Sequence, residues 1–491
     1  MSKDLSSRRG VTRRGFLTVA VSAIVAGVVA GVGAYYAGTL AAPAAVTKEV
    51  TKTVERVTTT TVTKTITETV ATTPTTPKVE KEVVIGQVTS LTGMFSGFGY
   101  GYYWGVQKAV EDINKLGGLK VGDKRVPVRV IVYDDESDPG KAASLTTKLI
   151  LVDNVVAVIG HGVPSLAIPE GTVCDRYKVP LIHGSTPFEP WYEGAKGTKF
   201  DWCLSFRIGT PVPEGDPRHG KVGYTIADSL LHFTDMFADQ TNRKVAVLAS
   251  GDADGTGWYV VFSKLLKESG RYYPHRVEEN FGLYPLGTTD FSSIILEWKA
   301  AECQILWANL PAPDFGIFWR QAHSLGWVPK LAWIGRASMV YEDVVAWGGD
   351  LPWGIADEDF WNPSYPYPGI GGRTSASLAD EWYKEKGTPV NTAVGFGGYR
   401  CAQVLFAAIE EAGSLDREAI NDAFLRLETT SLCGYEKFIP ETHDSPCAIN
   451  LIQWVKTDKP WVWERQIVWA ASPEIPVTTK PIFPLPGRTF K

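Results

Sequence analysis

From Val83 onward the chain alternates short apolar runs with stretches of helical period. Residues 83–88 form an apolar run of strand length, followed by a glycine-rich loop. Tyr103, Val106, Val110 and Ile113 then recur on one helical face, with Lys108, Glu111, Asp112 and Lys115 elsewhere. Gly117-Gly118 closes that helix, where a residue of positive φ is needed. Alternating valines predict a strand over 126–133, and Asp138-Pro139 has the form of an N-cap and first helical residue. A strand is predicted over 155–159, a helix over 165–177 and a strand over 179–183. The same rhythm resumes with strands over 244–249, 276–281, 305–308 and 330–334, separated by helices near 258–269, 291–300 and 314–325. A helix over 402–412 precedes strand-like runs at 448–455 and 462–469. Repeated strand–helix units imply parallel sheets with helices on both faces, and ligands of such sheets bind beyond the strand C-termini.

The N-terminal part follows another pattern. Residues 1–45 have the form of a targeting segment: Arg8, Arg9, Arg13 and Arg14 precede an uncharged stretch from Gly15 to Pro43. Thr12-Arg13-Arg14-Gly15-Phe16-Leu17 resembles the twin-arginine export signal. Ala42-Pro43-Ala44 offers a small-x-small cleavage pattern, yet roughly 20 apolar residues suffice to span a bilayer. The segment is expected to be removed or to tether the protein to a membrane as a helix. Residues 46–80 are Thr-rich with few large apolar side chains, a composition that stays solvated as a stalk. A short coiled coil on Val46, Val50 and Val54 is the alternative. The proline-rich tail over 471–491 is expected to wrap the surface.

Composition narrows the function. The 491 residues are 44% hydrophobic and 21% charged, ordinary for a globular chain of two domains. With a net charge of -5 and no basic patch interleaved with aromatics, nucleic acid is not an expected partner. None of the six cysteines stands in a C-x-x-C pair or beside a histidine cluster, so no metal site and no cofactor is expected. In an exported protein Cys433/Cys447 and Cys174/Cys203 suit disulfides; buried free thiols are the alternative. Ser96-Gly97-Phe98-Gly99 is not followed by the Lys-Ser/Thr of a phosphate loop. Asp252-Ala253-Asp254-Gly255 lacks the remainder of a calcium loop. His161 and His183 admit a hydrolase reading, but no nucleophile motif accompanies them, and no enzyme is expected.

The segment VVIGQVTSLTGMFSGFGYGYYWGVQKAVEDINKLGGL, followed by VRVIVYDDESDPGKA and VVAVIGHGVPS, resembles the opening of branched-chain amino acid-binding proteins. Asp112-Ile113-Asn114, Gly117-Gly118, Asp134-Asp135 and Asp138-Pro139 stand where that family has them. The resemblance covers about 83–190 strongly and runs collinear to about 470. It implies an α/β, two-lobed type I periplasmic binding protein fold, each lobe a parallel sheet flanked by helices, joined by three crossovers. These are placed near Arg207, Trp353 and Phe438, making one lobe 81–207 plus 354–437 and the other 208–353 plus 438–470. It also implies a monomer that closes by hinge motion on a small molecule and hands it to ABC transporter permease subunits. A ligand-sensing receptor domain is the rival reading.

The resemblance further suggests site residues. The family holds the ligand carboxylate with a serine at a helix start and a threonine after the next strand. Thr186, with Ser185 beside it, matches the second; Pro164 falls at the first, which makes Ser165 the substitute. Phe98 stands where an aromatic ring meets the ligand, and Asp254 or nearby Trp258 takes the place of an aromatic in the second lobe. The acid expected to pair with a ligand ammonium is replaced by Gly335-Arg336-Ala337-Ser338. An arginine there would repel an ammonium, so the expected ligand is a carboxylate, amide or other polar oxygen compound rather than a simple α-amino acid.

Overall fold

The computed structural model describes residues 82–486. The targeting segment, the stalk and residues 487–491 of the tail lie outside the described residues. Five parallel strands make the first sheet, in the order Val128–Asp134, Val83–Thr89, Ala157–Ile159, Leu181–Pro187, Asp201–Phe206. Ala157–Ile159 and Asp201–Phe206 are buried throughout, as strands covered by helices on both faces must be. The second sheet runs parallel through Leu283–Tyr284, Lys244–Ser250, Ile305–Leu310, Leu331–Arg336 and Ala356–Asp359. Asn450–Lys456 and Trp463–Trp469 then add antiparallel strands at one edge, because the loop joining them is too short for a parallel crossover.

Local signals set several boundaries. The Asp138 carboxylate accepts the Lys141 N–H at 2.8 Å, and Pro139 opens the Pro139–Leu151 helix. Gly117 and Gly118 take φ of 92° and 96° just past the Ser96–Lys115 helix. The strand predicted over 276–281 does not form. Arg276 and Asn280 both adopt left-handed φ, 51° and 54°, around the single turn Val277–Glu279, and such residues break strand alternation.

The chain leaves the first sheet after Phe206, returns after Asp359 and crosses again past Cys447. Two boundaries therefore move. Ala356–Asp359 pairs with Leu331–Arg336 and Asn450–Lys456, so it belongs to the second lobe and the crossing expected near Trp353 follows it. Ser445 N–H donates to Cys203 O at 2.8 Å and Cys447 N–H to Ser205 O at 3.2 Å, so the crossing expected near Phe438 also lies later. Helices over 375–426 pack on the first lobe: Trp202 Nε1 of its sheet donates to Asn421 Oδ1 at 2.7 Å, and Arg373, just ahead of them, donates from Nε to Asp112 Oδ2 of the Ser96–Lys115 helix at 2.7 Å. Among the described residues no helix is long and apolar enough to cross a membrane.

All six cysteines are buried free thiols. Cys174 packs with Val88 and Leu166 and Cys203 with Phe188 and Trp191, so that pair serves two separate apolar clusters instead of the disulfide expected. Cys433 and Cys447 likewise act as small core side chains.

One buried acid carries a pH signature. Burial pushes Asp359 up to about 7, with Arg465 Nη1 3.2 Å away pulling the other way. Its folded pKa lies above the unfolded value, so its contribution to stability is full below the unfolded pKa. That contribution is lost as pH rises through about 7. The wild type is expected to lose stability relative to Asp359→Asn between about pH 4 and pH 7. Parallel urea titrations across that range check this; a constant difference would contradict it.

Candidate functional site

Parallel strands bring their C-terminal ends to one edge of each sheet, and those edges face a common cleft. Its walls come from residues at strand ends, from the turns beyond them or from the helices that follow: Gly162 to Pro164, Ser185, Phe206, Asp254, Asn309, Arg336 and Glu358 among them. Phe98 and Tyr102 reach it from the Ser96–Lys115 helix. The free volume between the walls is about 30 Å³, room for about one water molecule.

The second-lobe wall is charged. Arg336 ends its strand with φ of 62°, a costly conformation for a side chain other than glycine. Its Nη1 donates to Asp252 Oδ2 at 2.9 Å and to Asp254 Oδ2 at 2.7 Å. Nε and Nη2 are buried without a protein acceptor. Asp252 caps the Ala253–Ser269 helix through the Gly255 N–H at 3.1 Å, and this places both aspartates at the helix start. Burial raises Asp254, while the Arg336 guanidinium opposes that shift. Trp258 Nε1 donates to Asp254 Oδ1 at 3.1 Å. Glu358 comes from the adjacent strand; it is 1% exposed, and its Oε2 also lacks a hydrogen-bond partner. Burial, with Asp357 beside it, holds Glu358 well above the usual carboxylate range.

The family model for periplasmic binding proteins matches residues 82–459. The chain belongs to the periplasmic binding protein family. It is 25% identical over 342 residues to Leu/Ile/Val-binding protein homolog 3 of Brucella melitensis, covering 69% of this chain and 81% of that protein. An amino acid binding protein of Pseudomonas aeruginosa is 26% identical over 249 residues, 50% of this chain and 58% of that protein. A leucine binding protein from Thermotoga maritima superposes with a TM-score of 0.62 at 19% identity, covering 78% of this chain and 97% of that structure. The two-lobed fold and the solute-binding character follow; proteins of this family work in the periplasm or outside the cell.

The first-lobe wall of this binding protein departs from what its sequence suggests. Thr186 is fully buried; its hydroxyl donates to Gly162 O at 2.7 Å and lies 2.9 Å from His183 Nδ1. That hydroxyl is committed inside the lobe, and Thr186 does not line the cleft. Ser185, at φ of 62°, does line it, with its hydroxyl beside that of Tyr102. The Pro164–Tyr177 helix opens on Pro164, which has no N–H and turns its ring to the cavity; Ser165 is not among the lining residues. The Val163 N–H already donates to His161 Nδ1 at 3.0 Å. Phe98, Ser185, Asp254 and Arg336 thus line one cleft, while Ser165 and Thr186 are not among its lining residues. Tyr102 and Glu358 were missed. Tyr102 was hidden within a helical run, and the Gly397 turn packs so closely on its ring that any side chain at 397 would overlap it.

Proposed function

We propose that this chain is the extracytoplasmic solute-receiving subunit of an ABC-type importer, with an amino-acid-like ligand held in the interlobe cleft. The observation that carries the reading is the pair of acceptor-less N–H groups of Arg336, with the unpartnered Glu358 Oε2, in one cleft where both lobes meet. Buried polar groups find partners, and a ligand carboxylate or amide oxygen supplies one for the guanidinium. On the first lobe the Thr186 hydroxyl and the Val163 N–H are already engaged, while the Ser185 hydroxyl faces the cleft, so the ligand oxygen meets Arg336 with Ser185 available beside it. Arg336 does not exclude an ammonium, because Asp252 and Asp254 balance its charge; a ligand amine meets Asp254. The rings of Phe98 and Trp258 receive the apolar side chain. Relatives named for leucine, isoleucine and valine support this ligand class.

An amino acid needs more room than the cleft offers here, so admission requires the lobes to part at the crossings. Export fits the Arg13-Arg14 run ahead of its apolar stretch, with permease subunits as partners and the protein acting as a monomer. His161 is a poor general base: burial pushes it down to about 3, and its acceptor nitrogen is engaged by Val163. Calorimetry with leucine, leucine amide, glutamine and isoamylamine tests the reading. The amine, which lacks any carbonyl oxygen, is expected to bind at least tenfold more weakly than the best of the others. Equal affinity for the amine removes the role of Arg336, and no micromolar binding across the set removes the ligand class.

A further inference from the structure

A larger cavity, about 300 Å³, lies away from the cleft, separated from it by Met339, which lines both. Helix Ser375–Lys386 of the first lobe forms one wall; the hairpin of Asn450–Lys456 and Trp463–Trp469 forms the other, beside the crossing at Trp361. Aromatic rings dominate it. Trp361 and Trp454 are each 1% exposed, and Tyr383 meets Trp461 edge-on at 4.7 Å between ring centroids.

The buried polar atoms of these walls are matched with two exceptions. Trp361 Nε1 donates to Ser375 Oγ at 2.9 Å and Trp454 Nε1 to Ser338 O at 2.9 Å. Lys459 pairs with Glu464 at 2.6 Å, and Arg465 Nη1 with Asp359 at 3.2 Å. Trp461 Nε1 and Arg465 Nε, both buried, have no acceptor. The cavity therefore has flat apolar walls, two paired cations, one exposed acid (Asp380) and two buried unmet donors. Aromatic faces favour a stacked or edge-on ring, and unmet donors favour an acceptor oxygen over a further cation.

We propose that this cavity is a second small-molecule site, taking a neutral flat aromatic molecule that bears an acceptor oxygen, such as an aromatic amide. Saturation-transfer NMR with benzamide as the probe and cyclohexanecarboxamide as the non-aromatic comparator tests it on the full chain. Benzamide is expected to bind the wild type and Arg336→Lys alike, since the latter alters only the cleft. Ala379→Phe fills the cavity from the half-exposed helix face and is expected to weaken benzamide at least tenfold. Trp461→Leu removes a ring and a donor on a surface loop, and a loss of the same order is expected. Cyclohexanecarboxamide is expected to bind at least tenfold more weakly than benzamide. Absence of benzamide binding to the wild type, undiminished binding to both cavity variants, or loss in Arg336→Lys would each overturn the proposal.

Discussion

Arg336→Ala is expected to lower stability by about 3–5 kcal/mol, the cost of breaking a buried ion pair from one side. The substitution leaves Asp252 and Asp254 facing each other without the guanidinium that bridges them at 2.9 and 2.7 Å. Burial already raises Asp254, and losing Arg336 raises it further, so the deficit is expected to be smaller at pH 5 than at pH 8. Arg336→Gly removes the same pairs but relieves the left-handed backbone at φ 62°, and is expected to lie about 1 kcal/mol above Arg336→Ala. Arg336→Lys separates folding from binding. A lysine ammonium keeps the pairing with the aspartates as a point charge, yet cannot present the second and third donors of the planar fork. Its stability is expected to stay near wild type, while affinity for the best ligand falls roughly ten- to hundredfold. Denaturant titration and calorimetry on the three variants check these outcomes. A lysine variant that binds normally would show that the ligand does not touch the guanidinium.

Arg207→Ala is the second large effect, again about 3–5 kcal/mol. Arg207 sits at the first crossing and is 1% exposed. Its Nη2 donates to Asp444 Oδ1 at 2.8 Å and its Nε to Asp444 Oδ2 at 3.2 Å, on the segment leading to the third crossing. The guanidinium lies 4.0 Å from the Phe188 ring centre. The pair thus ties two of the three strands of chain about which the lobes must turn, and ligand affinity is expected to weaken along with stability. Replacing both members by apolar residues, Arg207→Met with Asp444→Leu, is expected to recover most of the lost stability, because no lone charge then remains buried. A single substitution costing less than about 1 kcal/mol would mean that the charge is solvated and the clasp is not structural.

Much of the fold was legible because its signals are local. Periods of two and 3.6 residues mark strands and helices wherever one face is buried, and Asp138-Pro139 and Gly117-Gly118 mark ends by conformations that neighbouring residues impose. The arginine at 336 and the aromatic at Phe98 could be placed because the family spacing between a strand and its following loop is short. Residues 276–281 misled because an apolar–polar alternation says nothing of the two left-handed residues that break it.

What the tertiary structure alone decided concerns residues that depend on distant partners. Ala356-Asp357-Glu358-Asp359 has no strand pattern, yet it is a buried strand, since Arg465 reaches Asp357 and Asp359 from more than a hundred positions away. Glu358 stands near Arg336 only because their strands are neighbours in the sheet, a pairing that spacing in the chain does not encode. Thr186 carried the right hydroxyl for a ligand, but His183 and Gly162 engage it. The cysteines had suitable spacing for disulfides, but packing placed them as separate core side chains. By itself the sequence determined the alternation of elements, the two-lobed plan and the chemistry available at the strand ends. Which of those groups remain free to meet a ligand was set by pairing across the sheets, because a side chain's availability depends on every neighbour that folding brings to it.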